Sequence, residues 1–176
     1  NFTTIIIEMD YQKILEKINA DTITLQGDGE ISLSIPELAI VNPDKFGIHL
    51  LSTSSIDHQV GDSNEKFSIQ SISKVFSISF LGENLWDRVG VEPSGNPFNS
   101  LIQLEYEKGK PRNPFINSGA LVIADILVSH LKRPKEEFIE FVRLLADNPS
   151  IDYDVKVASS ERSTGYRNAA LANMLK

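Results

Sequence analysis

The sequence predicts an α/β protein in which helices pack on an antiparallel sheet. Two observations predict this class: a strand–turn–strand pattern over residues 46–60, and several segments whose apolar residues recur at helical spacing. The length of 176 residues is that of one domain with a substantial core. We therefore expect one domain over residues 1–176, with the hairpin as part of its sheet.

The first predicted elements are a helix and the two strands of the hairpin. Between Asp10 and Ala20 the apolar residues stand at helical spacing, at Tyr11, Ile14, Leu15 and Ile18. Residues 46–54 predict a strand, which a polar turn at 55–57 and a return strand toward Val60 complete. The polar residues 61–66, GDSNEK, predict a loop.

A helix is predicted from Ser71 onward, because Val75 and Ile78 fall on the face that Ser71 begins. Ser71 suits a helix N-terminus, since its side-chain oxygen can accept a hydrogen bond from an unpaired backbone N–H. Two segments follow, 91–100 and 109–119, that are rich in proline and glycine and predict ordered loops. Both contain the tripeptide Asn-Pro-Phe.

Three further helices are predicted in the second half of the chain. Residues 119–128 are apolar apart from Asp125 and predict a buried helix. Pro134 can occupy the first position of the next helix. That helix carries an apolar stripe at Phe138, Phe141, Val142 and Leu145. A last helix is predicted from Arg167 to Leu175.

The composition argues against several functional classes. A net charge of −7 offers no basic stripe for nucleic acid and does not suit an anionic membrane surface. No apolar run approaches the roughly 18 residues of a membrane span, and no signal-peptide pattern opens the sequence. The chain has no cysteine, which fits a cytoplasmic protein. The three histidines, His49, His58 and His130, lie far apart, so no metal site is expected.

The spacing Ser-x-x-Lys is the main candidate for catalytic chemistry, and it occurs three times: Ser63/Lys66, Ser71/Lys74 and Ser129/Lys132. Random placement of 19 serines and 11 lysines would give about one such pair, so the spacing alone identifies nothing. A serine nucleophile needs a base, and lysine serves only when neutral. Lowering its pKa from about 10.4 toward 7 costs about 4–5 kcal/mol, which requires burial near the positive end of a helix.

Context selects one of the three pairs. Lys66 lies in a polar loop, and Lys132 lies at the far end of a helix, where the dipole favours the charged form. The pair Ser71/Lys74 opens a helix and is followed by apolar residues, and its i, i+3 spacing puts both side chains on one face. The alternative is an N-cap serine followed by a lysine that reaches solvent.

Three long segments resemble one protein family. They are FSIQSISKVF (67–76), RVGVEPSGNPFNSLIQLEYEKGKPRNPFINSGALVIADIL (88–127) and SIDYDVKVASSERSTGYRNAALANMLK (150–176). From about Ile35 to its carboxyl end, the chain strongly resembles the bacterial serine-type glutaminases. These belong with the serine β-lactamase and penicillin-binding superfamily, so the resemblance implies a β-lactamase/transpeptidase-like fold.

The resemblance implies a reaction and the residues that perform it. Ser71 would attack the side-chain amide of L-glutamine, Lys74 would take its proton, and Gln70 would line the pocket. A γ-glutamyl-serine ester would form, ammonia would leave, and water would release L-glutamate. The backbone N–H of Ser71 would be one oxyanion donor. This amidohydrolase chemistry requires no metal and no organic cofactor.

The resemblance also implies how the amino-acid end of the substrate is bound. Asn117 would bind the head group, Glu161 would pair with the α-ammonium, and Asn168 would hydrogen-bond the α-carboxylate. A free amino acid carries both charges, and selectivity needs a partner for each. The alternatives are a solvated acid beside Arg162 for Glu161, and helix N-capping for the two asparagines.

The sequence departs from the family in three respects. Members are longer, and their carboxyl part holds two active-site tyrosines, a Lys-Ser-Gly strand and the second oxyanion donor. We therefore expect a truncated domain or one with further segments, and very weak turnover if 176 residues are the whole molecule. The stretch RSTG (162–165) resembles Lys-Ser-Gly but is expected between helices. The helix after Lys74 is about one turn short, and Ser34 replaces a pocket-closing tyrosine.

Two other functions are alternatives to glutamine hydrolysis. A penicillin-recognising acyl-enzyme needs Ser-x-Asn and Lys-Thr-Gly elements that this sequence does not show. A catalytically inactive, glutamine- or glutamate-binding or oligomer-forming fragment of the same family is the more serious alternative. The resemblance further implies a homo-oligomer, a tetramer, whose partner is the small molecule L-glutamine, with no nucleic acid and no membrane.

Overall fold

The computed structural model describes residues 9–175, apart from the side chains of residues 83 and 84. The chain divides into two compact units between Phe67 and Ser68. The first unit contains α1 (Tyr11–Ile23), α2 (Pro36–Ala39), β1 (Gly47–Leu51) and β2 (Asp57–Gly61). The second contains α3 (Ser73–Leu81), α4 (Leu101–Tyr106), α5 (Asn117–His130), α6 (Pro134–Ala146), α7 (Val155–Thr164) and α8 (Tyr166–Met174). Helices with a small antiparallel sheet confirm the predicted class.

Helix α1 begins where the sequence predicts and runs three residues beyond Ala20. Asp10 caps it, because its carboxylate accepts a hydrogen bond from the backbone N–H of Lys13 at 3.1 Å. That backbone hydrogen bond holds the pKa of Asp10 below its ordinary value, and the Lys13 side chain acts in the same direction. Leu15 is buried, and the Tyr11 ring lies 5.8 Å from that of His58 on β2.

The hairpin confirms the strand–turn–strand prediction, with a shorter first strand and a second strand that takes Asp57 from the predicted turn and Gly61 from the predicted loop. In its antiparallel register Gly47 pairs with Gly61 and His49 with Gln59. The first strand ends at Leu51 rather than 54, because the backbone of Ser52 is used by the turn, where it bonds Ile56 at 3.0 Å. In the described part of the chain the sheet has these two strands.

The core of the second unit forms around α5. Val122 and Ile126 of this helix are buried together with Leu85 and Val89, and α3 and α8 pack against α5. The predicted helix is confirmed over a longer range, but it is not buried all round: Val128 is 65% exposed, and Asp125 is exposed as well. Its carboxylate pairs with Arg88 at 2.8 Å.

Helix α6 confirms the prediction that Pro134 opens it, since proline occupies its first position. Phe141 packs edge-on against Phe80 of α3, with ring centroids 4.9 Å apart. Val142 is buried, but Leu145 is 54% exposed, so the predicted stripe stops short of its last member. Among the helices of residues 9–175, none combines the length and apolar character of a membrane crossing.

Three helices, α2, α4 and α7, were not predicted. The prediction that the Glu161 segment lies between helices is wrong, because this residue and most of RSTG belong to α7. The helix is polar and only weakly amphipathic, so its periodicity gives no signal; its start signal is Asp154, which accepts from the N–H groups of Lys156 and Val157. The last helix is confirmed and begins one residue early, at Tyr166.

Candidate active site

Ser71 lies in a 3₁₀ turn, Gln70–Ile72, that leads directly into α3. The prediction that the α-helix starts at Ser71 is wrong: α3 starts at Ser73, and no side chain caps it. Ser71 and Ile72 belong to the 3₁₀ turn instead, in which the N–H of Ile72 donates to the Ile69 carbonyl three residues back at 3.0 Å, and Gln70 just before Ser71 has a left-handed backbone with φ at +44°. The Ser71 side chain is exposed on this turn, close to the start of the second unit at Ser68.

The backbone of Gln70 is strained immediately before the serine. A left-handed conformation costs a residue other than glycine about 1–2 kcal/mol, and here it falls on a long polar side chain. Two hydrogen bonds hold the turn: the Ser73 hydroxyl donates to the Gln70 carbonyl at 2.7 Å, and the Gln70 amide donates to the Ser68 hydroxyl at 2.9 Å. Such strain recurs at functional sites, where it fixes the geometry of a reacting group.

Lys74 lies in the first turn of α3 with its side chain half-buried. Its Nζ donates to the Phe115 carbonyl at 2.8 Å and to Asn117 Oδ1 at 3.1 Å. Burial lowers the pKa of Lys74 below its ordinary value. The positive end of the helix disfavours the same charge.

The two oxygen acceptors also determine what the Lys74 amine can do. A neutral amine has two N–H bonds and one lone pair. If Phe115 and Asn117 take both N–H bonds, the lone pair is left directed away from them and is free to accept a proton. The arrangement therefore suits a lysine that acts as a base.

A second hydrogen bond extends this arrangement to a third helix. The amide nitrogen of Asn117 donates to Asn168 Oδ1 at 2.8 Å, so Lys74, Asn117 and Asn168 form one row across α3, α5 and α8. Neither asparagine is the N-cap of its helix, which was the alternative prediction: Ile116 occupies the cap of α5, and Gly165 that of α8. Within residues 9–175, the Asn168 amide nitrogen donates to no protein acceptor.

The other expected site residues do not join this row. In the part of the chain that the structure describes, no hydrogen bond links Ser71 to Lys74. The Gln70 side chain is directed at Ser68. Glu161 is partly exposed on α7, and its carboxylate forms no ion pair or hydrogen bond with any described residue.

Two further participants were missed from the sequence. The carbonyl of Phe115 accepts from Lys74, and Asn113 accepts from the N–H groups of Phe115 and Ile116. A backbone carbonyl has no sequence signature. The Asn-Pro dipeptide at residue 113 was a signal for the turn, but its connection to a lysine 39 positions away could not be seen in it.

The family model for glutaminase matches residues 29–176 of this chain. A curated glutaminase of Christiangramia forsetii is 55% identical over 172 residues, which is 96% of this chain and 57% of the relative. The chain belongs to the glutaminase family. It spans about half the length of the curated relatives it matches.

Among solved structures, too, the chain is similar in fold to glutaminases. A Bacillus subtilis probable glutaminase superposes with a TM-score of 0.75 at 34% identity, over 94% of this chain and 52% of that one. The protein called Mglu, in its glutamate form, gives 0.79 at 29% identity, over 96% of this chain and 40% of that one. The fold is that of these glutaminases, which is β-lactamase-like.

Proposed function

We propose that this protein hydrolyses the side-chain amide of L-glutamine to L-glutamate and ammonia, with Ser71 as the nucleophile and Lys74 as its base. The observation that carries the proposal is the half-buried Lys74 amine between two oxygen acceptors, one helical turn from an exposed serine. Membership of the glutaminase family supports the substrate class.

The first half of the reaction acylates the serine. Ser71 Oγ bonds to the amide carbon as its proton moves to Lys74, and the tetrahedral intermediate places negative charge on the former carbonyl oxygen. The C–N bond then breaks, and Lys74 returns the proton to the leaving nitrogen, which departs as ammonia. A γ-glutamyl ester remains on Ser71.

The second half repeats these steps with water. Lys74 removes a proton from water as its oxygen attacks the ester carbon, and then gives that proton to Ser71 Oγ as the C–O bond breaks. L-Glutamate leaves with the serine restored. All proton transfers use one amine, and every step balances without a metal or an organic cofactor.

The amino-acid end of the substrate would be bound by the residues named from the resemblance. The Asn168 amide nitrogen, which no described residue accepts from, is suited to the α-carboxylate. Glu161 on α7, with a partly exposed carboxylate, is suited to the α-ammonium. Asn117, held between Lys74 and Asn168, would contact the head group, and Gln70 would line the pocket beside Ser71.

The quaternary structure and location are proposals that rest on the family resemblance. They are a homotetramer in the cytoplasm, with L-glutamine as the partner and neither nucleic acid nor membrane involved. A single domain over residues 1–176 is proposed on the same ground. Light scattering of the purified chain would test the tetramer, since a monomer at micromolar concentration would contradict it.

Ammonia release from L-glutamine tests the reaction, with Ser71→Ala as the inactive variant. Ser129→Ala is the matched control, because Ser129 in the last turn of α5 and Lys132 just beyond that helix repeat the spacing and are exposed. We expect Ser71→Ala to fall to background and Ser129→Ala to retain the full rate. Release at background level from both the unsubstituted chain and Ser71→Ala would contradict hydrolysis, and equal release above background would contradict Ser71 as the nucleophile.

Acylation is tested separately by acid-quenching the chain with glutamine and measuring peptide masses. The expected product is one γ-glutamyl group on the peptide that contains Ser71, absent from Ser71→Ala. A chain that binds L-glutamine without ammonia release or this adduct would be the inactive binding protein of the alternative.

A further inference from the structure

Asn113 lies at the start of the turn that carries both acceptors of Lys74. Its Oδ1 accepts from the N–H of Phe115 at 2.9 Å and from the N–H of Ile116 at 3.2 Å. Its Nδ2 donates to the carbonyl of Glu92 at 2.9 Å. All three polar groups that it binds are backbone atoms, so the side chain of Asn113 fixes main-chain direction.

The turn is also held to the neighbouring loop. The N–H of Gly90 donates to the Pro111 carbonyl at 2.8 Å, and the N–H of Glu92 donates to the Arg112 carbonyl at 3.0 Å. Together with the amide of Asn113, these bonds attach residues 90–92 to residues 111–113. The backbone at the beginning of the turn is therefore held in place by these hydrogen bonds.

At its other end the turn runs straight into α5. The N–H of Asn117 donates to the Phe98 carbonyl at 2.8 Å, which fixes the first residue of the helix. Gly119 lies so close that an added Cβ would stand 2.1 Å from the Asn113 carbonyl oxygen. Between these contacts, the direction of the Phe115 carbonyl depends on the two N–H bonds that Asn113 accepts.

We propose that Asn113 is a positioning residue that presents the Phe115 carbonyl and the Asn117 amide to the amine of Lys74. The inference rests on the proposed role of Lys74 as a base. Asn113 does not touch the substrate in this proposal; it acts by keeping two acceptors in place, so that the lone pair of the neutral amine stays free.

The chain contains a matched control for this residue. The tripeptide Asn-Pro-Phe occurs at residues 96–98 as well as at 113–115. Asn96 and Asn113 both line a cavity of about 500 Å³ formed by these loops. Within the described chain, however, the Asn96 side chain makes no hydrogen bond, so Asn96→Ala removes the same atoms without removing the turn.

The test measures the titration of Lys74 by NMR in chains carrying isotope-labelled lysine, with the signal assigned by its loss in Lys74→Met. In Asn113→Ala we expect the turn to loosen and the lysine to become hydrated, so its titration midpoint should rise toward the ordinary value of a lysine side chain. Asn96→Ala should leave the midpoint unchanged. Ile126→Val, which weakens the core at a distance, should lower the melting temperature and also leave it unchanged.

An Asn113→Ala midpoint at or below that of the unsubstituted chain would overturn the proposal, as would an equal rise in Ile126→Val. If Asn113→Ala does not fold, Asn113→Ser serves, because its hydroxyl can accept one of the two N–H bonds and should give a smaller rise. Since the readout requires no turnover, it decides the role of Asn113 even if the ammonia assay contradicts hydrolysis. Where turnover is measurable, Asn113→Ala should lower kcat about tenfold to hundredfold.

Discussion

The amine of Lys74 and the side chain of Asn117 are joined by a 3.1 Å hydrogen bond between α3 and α5. The two residues are 43 positions apart in the sequence. The bond gives the amine a defined direction in a half-buried environment. It also connects the proposed proton acceptor to Asn168, the proposed ligand of the substrate carboxylate.

The first prediction concerns stability against pH. Burial lowers the pKa of folded Lys74 below the ordinary lysine value of 10.5, which is the value expected for an unfolded chain, so the unfolded state binds more protons between these two pKa values. The free energy of unfolding should therefore rise with pH across that window. Below the window the buried lysine is charged in the folded state, and the resulting destabilisation is fully present. Urea unfolding from about pH 7 to about pH 10 should show a steeper rise for the unsubstituted chain than for Lys74→Met. Lys132→Met is the control, and a slope shared by all three chains would contradict the prediction.

The second prediction concerns the strained turn. Gln70→Gly should relieve the left-handed backbone and stabilise the protein by up to about 1 kcal/mol, because glycine adopts φ of +44° without penalty. It should also lower the rate of ammonia release, since Ser71 becomes less well fixed. Lys108, at φ +55°, is the matched control outside the site: Lys108→Gly should stabilise without loss of rate. Equal rates in both variants, measured with their melting temperatures, would argue against a catalytic use of the strain.

The third prediction concerns the contact of α5 with the turn before it. Gly119→Ala should destabilise the protein by about 1–3 kcal/mol, because its Cβ would stand 2.1 Å from a backbone oxygen that cannot rotate away. Gly95→Ala is the control, since nothing lies within 4 Å of its Cβ position. Thermal unfolding followed by circular dichroism measures both. A Gly119→Ala chain as stable as Gly95→Ala would show that α5 can shift freely.

The fourth prediction separates the binding role of Asn168 from its structural one. Asn168→Asp keeps an oxygen that can accept from Asn117 but places a carboxylate where the α-carboxylate of glutamine is proposed to bind. We expect an unchanged melting temperature and a KM for glutamine raised about tenfold to hundredfold, from the loss of one charge-assisted hydrogen bond. Asn173→Asp, on the same helix and exposed, should leave KM unchanged. A KM unaffected by Asn168→Asp would remove this residue from the binding site.

Sequence patterns predicted the helices and strands that depend on interactions between residues close together in the sequence. Proline was predicted at the first position of α6, and α1 was predicted from its apolar spacing; the structure shows that α1 is also capped locally, by Asp10 through Lys13. The hairpin was predicted for the same reason. Helix α7 was not predicted because most of its residues are polar, and the capping residue Asp154 was its one sequence signal. Helix α4 was not predicted because six residues are too few to show a helical periodicity.

The candidate site was predictable as a set of residues but not as an arrangement. The context of Ser71 and Lys74 selected one pair among three, since only that pair opens a helix after an apolar approach. The bonds from Lys74 to Phe115 and from Asn117 to Asn168 join residues 41 and 51 positions apart. Such separations follow from tertiary packing, and no spacing in the sequence encodes them.

The row of Lys74, Asn117 and Asn168 connects the charge of the Lys74 amine with the proposed binding of the substrate carboxylate at Asn168. A carboxamide has one oxygen end and one nitrogen end, so turning Asn117 over reverses both of its bonds together. The amide nitrogen of Asn117 would then face the Lys74 amine, and only an uncharged amine has a lone pair that can accept its hydrogen bond. The protonation of Lys74 and the orientation of the Asn117 and Asn168 amides would therefore be coupled, so that an anion bound to the Asn168 amide would also change the pKa of Lys74.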